Sequence, residues 1–200
     1  MPEASSPESS VPVTPPVESA RRPVADALWN VASWLRDLAF SVLIAVISIV
    51  FIYQPVKVEG SSMMPGLDDQ ERIFINKFTY RFGLGAIERG DTVVFHAPAT
   101  VDPDKSYIKR IIGLPGDRVR IDHGRVYVNG DLLDEPYVKD EYRDYSYMDE
   151  ITVAPGRYFV LGDHRNQSSD SRAWGCVRRE SIYGKAVFAY WPLTKLGRLK

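Results

Sequence analysis

Hydrophobic residues are concentrated in one uninterrupted stretch near the start of the chain. Residues 38–53 have the sequence LAFSVLIAVISIVFIY, sixteen positions without a charged side chain. At about 1.5 Å per residue such a helix covers about 24 Å, less than the ~30 Å hydrocarbon core of a bilayer. Extending the helix back through Trp34 and Leu35, with Arg36 directed toward the headgroups, closes the difference. The pattern therefore predicts one membrane-spanning helix.

Two other interpretations of this apolar run are a buried core helix and a cleaved secretory signal peptide. A core helix in a small domain usually keeps one polar face, which this run lacks. A signal peptide ends at a small-x-small cleavage site, whereas Gln54-Pro55-Val56 follows here. Arg21, Arg22 and Arg36 precede the run and only Lys57 follows closely. The positive-inside rule then predicts a cytoplasmic amino terminus and a single pass through the plasma membrane.

The segments on either side of this run differ in composition. Residues 1–23 are rich in Pro, Ser, Glu and Val without a helical or strand period, which predicts a disordered cytoplasmic tail. Residues 24–37 place apolar side chains at helical spacing, as an interfacial helix or as the first turns of the spanning helix. We therefore assign residues 24–55 to the anchor and residues 56–200 to an extracytoplasmic domain.

That domain has the pattern of a mainly β fold. Short alternating or β-branched runs are separated by turn signals, which indicates an antiparallel β-sheet domain behind one amino-terminal transmembrane α-helix. Asp122-His123-Gly124 and Asn129-Gly130 predict hairpin turns, and residues 114–117 predict a tight turn. The predicted strands cover residues 56–59, 72–77, 92–96, 107–112, 118–121, 125–128, 157–161 and 186–191.

Composition excludes several classes of function. The 200 residues allow one moderate domain beside an anchor, and a hydrophobic fraction of 44% is enough for a core. A net charge of -1 gives no reason to expect nucleic acid as a partner. Cys176 is the only cysteine, and the three histidines do not have the spacing of metal ligands. We expect no metal, no cofactor and no intrachain disulfide.

Candidate chemistry begins shortly after the apolar run, in the segment Gly60-Ser61-Ser62-Met63-Met64-Pro65. A lone serine in a loop is usually a cap or a turn hydroxyl. Here Gly60 permits close backbone approach and Pro65-Gly66 fixes a turn just after Ser62. A serine hydroxyl needs a base to become nucleophilic, and Lys109 in Tyr107-Ile108-Lys109-Arg110 is the candidate.

The pattern around Lys109 leaves two interpretations open. A lysine in this run is either a surface charge or an amine desolvated by Ile108, Ile111 and Ile112. An unperturbed lysine, with a pKa of about 10.4, is neutral in roughly one molecule per thousand near pH 7.4. Burial that lowers the pKa by ~3 units would make the amine a usable base.

A third segment, residues 162–172, is dense in hydroxyl and charged side chains. Such a segment is usually a solvated connection or an anion-binding loop. Alternatively, its two aspartates and two arginines form a salt-bridged brace, and Ser168 orients an amine by hydrogen bonding. The four charged residues are Asp163, Arg165, Asp170 and Arg172.

Together the three segments resemble those of the type I signal peptidases, membrane-anchored serine proteases that remove signal peptides from exported proteins. The resemblance extends over residues 56–191. It implies that Ser62 is the nucleophile and Lys109 the general base. It further implies that Ser168 hydrogen-bonds the lysine, that Asp170 and Arg172 form a supporting ion pair, and that Gly162 leaves the lysine room.

The resemblance also implies a substrate class and its binding site. The substrates are preproteins with a small-x-small cleavage site, bound at the surface of a lipid bilayer. The implied pocket walls are Met63, Leu67, Tyr107 and Ile108.

Two positions depart from the family pattern. His164 stands where the third segment usually has asparagine. Gly60 stands where some members have a serine that helps to bind the oxyanion, so backbone N–H groups, including that of Ser62, would have to form the oxyanion hole.

Three alternatives remain at this point. One is a Ser–His protease of the same fold with His164 as base, and another is a self-cleaving regulator with the same Ser–Lys dyad. The non-enzymatic alternative is an anchored β-rich binding module.

Overall fold

A computed structural model describes residues 23–78, 85–98, 101 and 105–199 of the chain. Apart from Pro23, the predicted tail over residues 1–23 lies outside the described residues. The chain divides into two compact units, Met1–Ala45 and Val46–Lys200.

The predicted anchor forms one helix, α1, over Pro23–Ile52. It contains the stretch Trp29–Ile47, which is long and apolar enough to cross a membrane, with a mean hydropathy of 1.5. None of this stretch is buried, unlike a core helix of a soluble domain. The helix ends before the predicted residue 55, because Pro55 disfavours the helical conformation of Gln54.

The rest of the described chain is mainly β-structure. A short helix, α2, covers Ser171–Trp174, and 3-10 turns cover Asp140–Tyr142, Arg165–Gln167, Arg179–Ser181 and Leu193–Lys195. The strands are β1 Tyr53–Lys57, β2 Arg72–Asn76, β3 Thr92–His96, β4 Ser106–Gly113, β5 Arg118–Asp122, β6 Arg125–Val128, β7 Asp131–Leu132, β8 Met148–Thr152, β9 Arg157–Leu161, β10 Val177–Arg178, β11 Ile182–Trp191 and β12 Gly197–Arg198.

These strands form two antiparallel sheets. The larger has the order β1-β2-β11-β3-β4-β9-β10, with β12 paired to β11, and the smaller has the order β7-β6-β5-β8. Pro55 is tolerated in β1 because that strand lies at the edge of its sheet. The structure therefore confirms the predicted class, a mainly antiparallel β fold with one amino-terminal helix.

Each predicted strand overlaps an observed one, and both hairpin turns are present. His123 and Gly124 between β5 and β6, and Asn129 and Gly130 after β6, all have positive φ, as a two-residue hairpin turn requires. The sequence pattern did not predict β7, β8, β10 or β12.

Two apolar clusters position the segments of interest. One lies beneath the loop that carries Ser62 and includes Val58, Met63, Leu67, Ile73, Ile75 and Val94. The other lies between the end of β4, β9 and the smaller sheet, and includes Ile112, Val119, Phe159 and Leu161. Both clusters are fully buried, so the loop and β4 rest on a fixed core.

Candidate active site

The loop after β1 holds Ser62 through its buried neighbour. Met63 is 1% exposed and packs into the apolar cluster, which fixes the backbone on one side of Ser62. Two hydrogen bonds tighten the turn: the Met64 N–H donates to the Ser61 carbonyl at 3.0 Å, and the Leu67 N–H to the Met63 carbonyl at 2.9 Å. Ser62 itself is half-buried and lies on the rim of a cleft.

Lys109 lies on β4 directly opposite Val93 of β3. Its side chain is only 3% exposed, so the surface-charge interpretation is wrong. The Lys109 Nζ lies 2.5 Å from the Ser62 Oγ, within hydrogen-bonding distance. The fold thus brings together the two residues that the sequence suggested as nucleophile and base.

Burial changes the protonation of this amine. It lowers the pKa of Lys109 from 10.5 to about 8, because the ammonium form loses its solvation. The Asp170 and Asp163 carboxylates act in the opposite direction, and the Arg172 guanidinium lowers the pKa further. With a pKa of about 8, roughly a fifth of the amines are neutral near pH 7.4.

Asp170 and Arg172 form the ion pair that the sequence suggested. The Arg172 Nη2 lies 2.7 Å and its Nε 2.8 Å from the Asp170 carboxylate. Asp170 is fully buried and also accepts a hydrogen bond from the Gly162 N–H at 3.1 Å. Arg172 further pairs with Asp144, which lies before β8. The pair therefore ties both ends of the third segment together.

The other two charged residues of this segment have partners elsewhere in the fold. Asp163 accepts two hydrogen bonds from Arg110, at 2.9 and 2.7 Å, and both side chains are buried. Arg165 forms a buried, bidentate pair with Glu135. The brace predicted from sequence thus extends beyond its own loop. Sequence reasoning missed Arg110 and Glu135 as partners, since only the tertiary fold brings them close.

Ser62 and Ser168 pack so closely against residue 162 that only glycine fits there. A Cβ on Gly162 would overlap the Ser168 Oγ and would lie 2.5 Å from the Ser62 carbonyl oxygen. The closest atoms are therefore not those of Lys109, for which the glycine was expected to leave room. The Ser168 Oγ is buried and has no hydrogen-bond partner among the described residues, so its bond to Lys109 stays a prediction.

The backbone around Gly60 restricts which groups can bind an oxyanion. Gly60 has φ +93°, and its N–H donates to the Asp69 carboxylate at 2.7 Å. This hydrogen bond holds the pKa of Asp69 below its usual range and occupies the Gly60 donor. The Ser62 N–H, in contrast, donates to no group within the described part of the chain.

A cleft of about 150 Å³ opens beside Ser62 and Lys109. Two of the predicted pocket walls, Tyr107 and Ile108, line it, together with Val56, Val58 and Ser106. The other two, Met63 and Leu67, line a separate cavity of about 270 Å³ beside Arg110 and Asp163. Of the four, only the β4 residues share the cleft with Ser62.

The edge of β4 that faces this cleft is open. Residues 106–110 pair with β3, whereas the pairing with β9 begins only at Arg110. Within the described residues, the segment 106–109 therefore has one unpaired edge beside Ser62. An unpaired edge of this kind can accept an added extended strand.

His164 lies beside the serine loop but makes a different contact from Lys109. Its Nδ1 lies 3.0 Å from the Ser61 carbonyl oxygen. Among the described residues, no group of three or more His, Cys, Asp or Glu side chains is placed to hold a metal ion.

Comparison with known proteins identifies the family. The family model for signal peptidase, peptidase S26, matches residues 31–191. A signal peptidase I from Leptolyngbya laminosa is 35% identical and covers 96% of this chain and 95% of its own. A probable signal peptidase I-2 from Synechocystis sp. (strain ATCC 27184 / PCC 6803 / Kazusa) is 39% identical and covers 84% and 78%.

A solved structure of a signal peptidase I from Enterococcus faecalis V583 is 32% identical, covers 50% of this chain and 97% of its own, and has a TM-score of 0.42. The family match spans most of the chain, and the similarity to the Leptolyngbya protein extends along nearly its whole length. The chain therefore belongs to the signal peptidase family, peptidase S26.

Proposed function

We propose that this chain is a membrane-anchored serine endopeptidase that cleaves signal peptides from exported preproteins, with Ser62 as nucleophile and Lys109 as general base. The observation that carries the proposal is the 2.5 Å distance between the Lys109 Nζ and the Ser62 Oγ. It is supported by the burial that lowers the pKa of Lys109 to about 8, because a neutral amine can accept a proton.

The reaction is acyl transfer. Neutral Lys109 takes the proton of the Ser62 hydroxyl while the oxygen attacks the scissile carbonyl carbon. The resulting ammonium protonates the amine that leaves as the peptide bond breaks. Water, activated by the same neutral amine, then hydrolyses the Ser62 ester and releases the signal peptide.

The oxyanion that forms during attack needs donors close to the serine. The Ser62 N–H is the best candidate, since it donates to no described group, whereas the Gly60 N–H is held by Asp69. When Lys109 is protonated, the buried Ser168 hydroxyl is a further candidate to accept a hydrogen bond from it.

The substrate is expected to bind as an extended strand. The unpaired edge over residues 106–109 offers backbone groups, and a cleft of about 150 Å³ that two side chains share would leave room only for small ones. Side chains at alternate positions of an extended peptide point the same way, so two small residues separated by one would enter together. This supports selection for small-x-small cleavage sites.

The apolar helix would hold the enzyme where its substrates emerge. Tethering to the bilayer raises the effective concentration of a signal peptide that is itself in the membrane. The basic residues that precede the apolar run support a cytoplasmic amino terminus under the positive-inside rule. Protease added outside intact cells should then digest the β domain and spare an amino-terminal tag.

A preprotein cleavage assay with the full chain in detergent tests the proposal. Wild type should cleave a preprotein with an Ala-x-Ala site, Ser62→Ala should be inactive, and Lys109→Met should lose about 10²- to 10⁴-fold in rate, the usual contribution of a general base. Lys139→Met removes an exposed lysine away from the cleft and should cleave like wild type.

The alternatives give different results in the same assay. Full activity of Lys109→Met would assign the base elsewhere, as in a Ser–His protease. Cleavage of the chain itself without cleavage of preproteins would indicate a self-cleaving regulator. No turnover by wild type at any pH would indicate a binding module.

A further inference from the structure

His164 contacts the backbone on both sides of Ser62. Its backbone N–H donates to the Ser62 carbonyl oxygen at 3.1 Å, and its Nδ1 lies 3.0 Å from the Ser61 carbonyl oxygen. A carbonyl oxygen can only accept, so the Nδ1 carries the proton and donates. The imidazole is 7% exposed and packs on the Tyr142 ring, with 4.2 Å between the ring centroids.

The backbone at His164 is itself firmly held. The residue before it, Asp163, is in a buried pair with Arg110 of β4. The residue after it, Arg165, is in a buried pair with Glu135. Because buried pairs of this kind resist separation, His164 is a fixed point from which the serine loop can be aligned.

The two contacts act on the two peptide planes that meet at the Ser62 Cα. The Ser61 carbonyl and the Ser62 N–H belong to one rigid, planar peptide group, so the imidazole bond also fixes the direction of that N–H. The Ser62 carbonyl belongs to the next peptide group, which the His164 N–H holds. With both planes fixed, the φ and ψ angles of Ser62 are set, and with them the position from which the Oγ projects.

We propose that His164 is a positioning residue that clamps both peptide planes of Ser62, an inference that deepens the proposed function and rests on it. By holding the Ser61–Ser62 peptide group, the imidazole orients the Ser62 N–H toward the site of the developing oxyanion. It also keeps the Ser62 Oγ beside the Lys109 amine. His164 neither accepts a proton from Ser62 nor contacts the substrate.

Two substitutions distinguish the role of the His164 Nδ1–H donor from that of the aromatic ring. Asparagine can place its Nδ2 where the histidine has Nδ1, so His164→Asn keeps an N–H donor and loses the ring. His164→Phe keeps a ring to pack on Tyr142 and loses the donor. The backbone N–H of residue 164 is unchanged in both.

The test measures kcat and KM for preprotein cleavage by the full chain in detergent. His164→Phe should lower kcat by about 100-fold, as expected for a misplaced catalytic group, while His164→Asn should stay within about threefold of wild type. The KM should change little in either variant, because the cleft is lined by residues of β1 to β4 and of the loop after β1, and not by His164. His96→Phe, the same change at an exposed histidine of β3, should leave both constants unchanged.

Loss of activity in His164→Asn equal to that in His164→Phe would overturn the proposal, since packing on Tyr142 would then be the requirement. A change confined to KM would also overturn it. If His164→Phe fails to fold, His164→Asp takes its place, since it matches asparagine in shape but presents an acceptor to the Ser61 carbonyl. His164→Asp should have a lower kcat than His164→Asn. Equal activity of these two variants would contradict the proposed role of the imidazole as a donor to the Ser61 carbonyl.

Amide hydrogen exchange tests the positioning role of His164 without relying on preprotein cleavage, so it can be judged separately from the proposed function. The Met64 and Leu67 amides close the turn around Ser62, so their exchange reports its rigidity. They should exchange faster in His164→Phe and at the wild-type rate in His164→Asn. If wild type cleaves no preprotein, the proposed function fails, while the exchange rates still decide whether His164 holds the loop.

Discussion

Lys109 and Arg110 are consecutive residues of β4, and both are buried, yet their charged groups have opposite surroundings. Consecutive side chains of a strand point to opposite faces of the sheet. The Arg110 guanidinium reaches the Asp163 carboxylate at 2.7 Å, whereas the Lys109 amine reaches the Ser62 hydroxyl at 2.5 Å. Among the described residues, Lys109 has no carboxylate within ion-pairing distance. One cation is therefore neutralised by an ion-pair partner, whereas the other has a pKa of about 8 and loses its proton more readily than an ordinary lysine.

The first prediction concerns the pH dependence of cleavage. Since burial lowers the pKa of Lys109 to about 8, activity should rise with pH as the amine loses its proton. The kcat/KM for a preprotein should reach half its maximum near pH 8 and fall about tenfold per pH unit well below it. A rate that stays constant down to pH 5 would exclude Lys109 as the base.

The second prediction is that Lys109→Met, although it lowers the cleavage rate, stabilises the fold. A lysine pKa lowered from 10.5 to about 8 means that the folded protein holds this proton less tightly than the unfolded chain. Below pH 8 the difference corresponds to up to about 3 kcal/mol against the folded state. Methionine, of similar length and without charge, should remove this cost.

The stability gain should depend on pH in a defined way. Between pH 8 and 10.5 the unfolded wild-type chain binds the Lys109 proton more than the folded chain does, so the stability of wild type should rise relative to that of Lys109→Met through this window. The thermal midpoints of both chains in detergent should therefore converge as pH rises. A constant difference would mean that packing, not protonation, distinguishes the two.

The sequence was sufficient for those parts of the fold that depend on local pattern. Alternation and β-branched runs predicted strands such as β3 and β6 to the residue, and Asn129-Gly130 predicted its turn from the backbone preference of these two residues. In contrast, β8 mixes charged and apolar residues and exists because β5 pairs with it. Two-residue strands such as β7 are likewise set by their neighbours and have no pattern of their own.

In the candidate site too, local sequence pattern predicted some features, whereas others depend on tertiary contacts. Motif and resemblance suggested Ser62 and Lys109 together, but the alternation around Lys109 could not distinguish an exposed amine from a buried one. Its burial depends on what packs over β4, which only the tertiary structure shows. The pair between Arg165 and Glu135 joins segments far apart in the chain, so no local pattern could have predicted it.

The third prediction tests the space around Gly162. In Gly162→Ala the new methyl group would overlap the Ser168 Oγ and press on the Ser62 carbonyl oxygen, which belongs to the backbone and cannot move alone. We expect a loss of about 1–3 kcal/mol in stability and about 100-fold in kcat. Gly197→Ala is the matched control, because a Cβ there meets no atom within 4 Å. Equal activity of the two variants would mean that the Ser62 backbone has room to shift.

The last prediction uses Asp170 to move the pKa of Lys109. Among the neighbouring charges, the Asp170 carboxylate contributes most to raising this pKa, and the Arg172 guanidinium lowers it. Asp170→Asn keeps the shape of the side chain, removes the negative charge and leaves Arg172 positive. The pKa of Lys109 should therefore fall further, and the rising limb of the pH–rate profile should move to lower pH.

This variant also loses stability, because breaking a buried ion pair costs about 3–5 kcal/mol. Arg172 keeps its second partner, Asp144, so the loss should be near the lower end of that range. Asp140→Asn changes a fully exposed aspartate and should alter neither stability nor the profile. A rising limb that moves to higher pH in Asp170→Asn would mean that the ammonium of Lys109 is not what limits the reaction in acid.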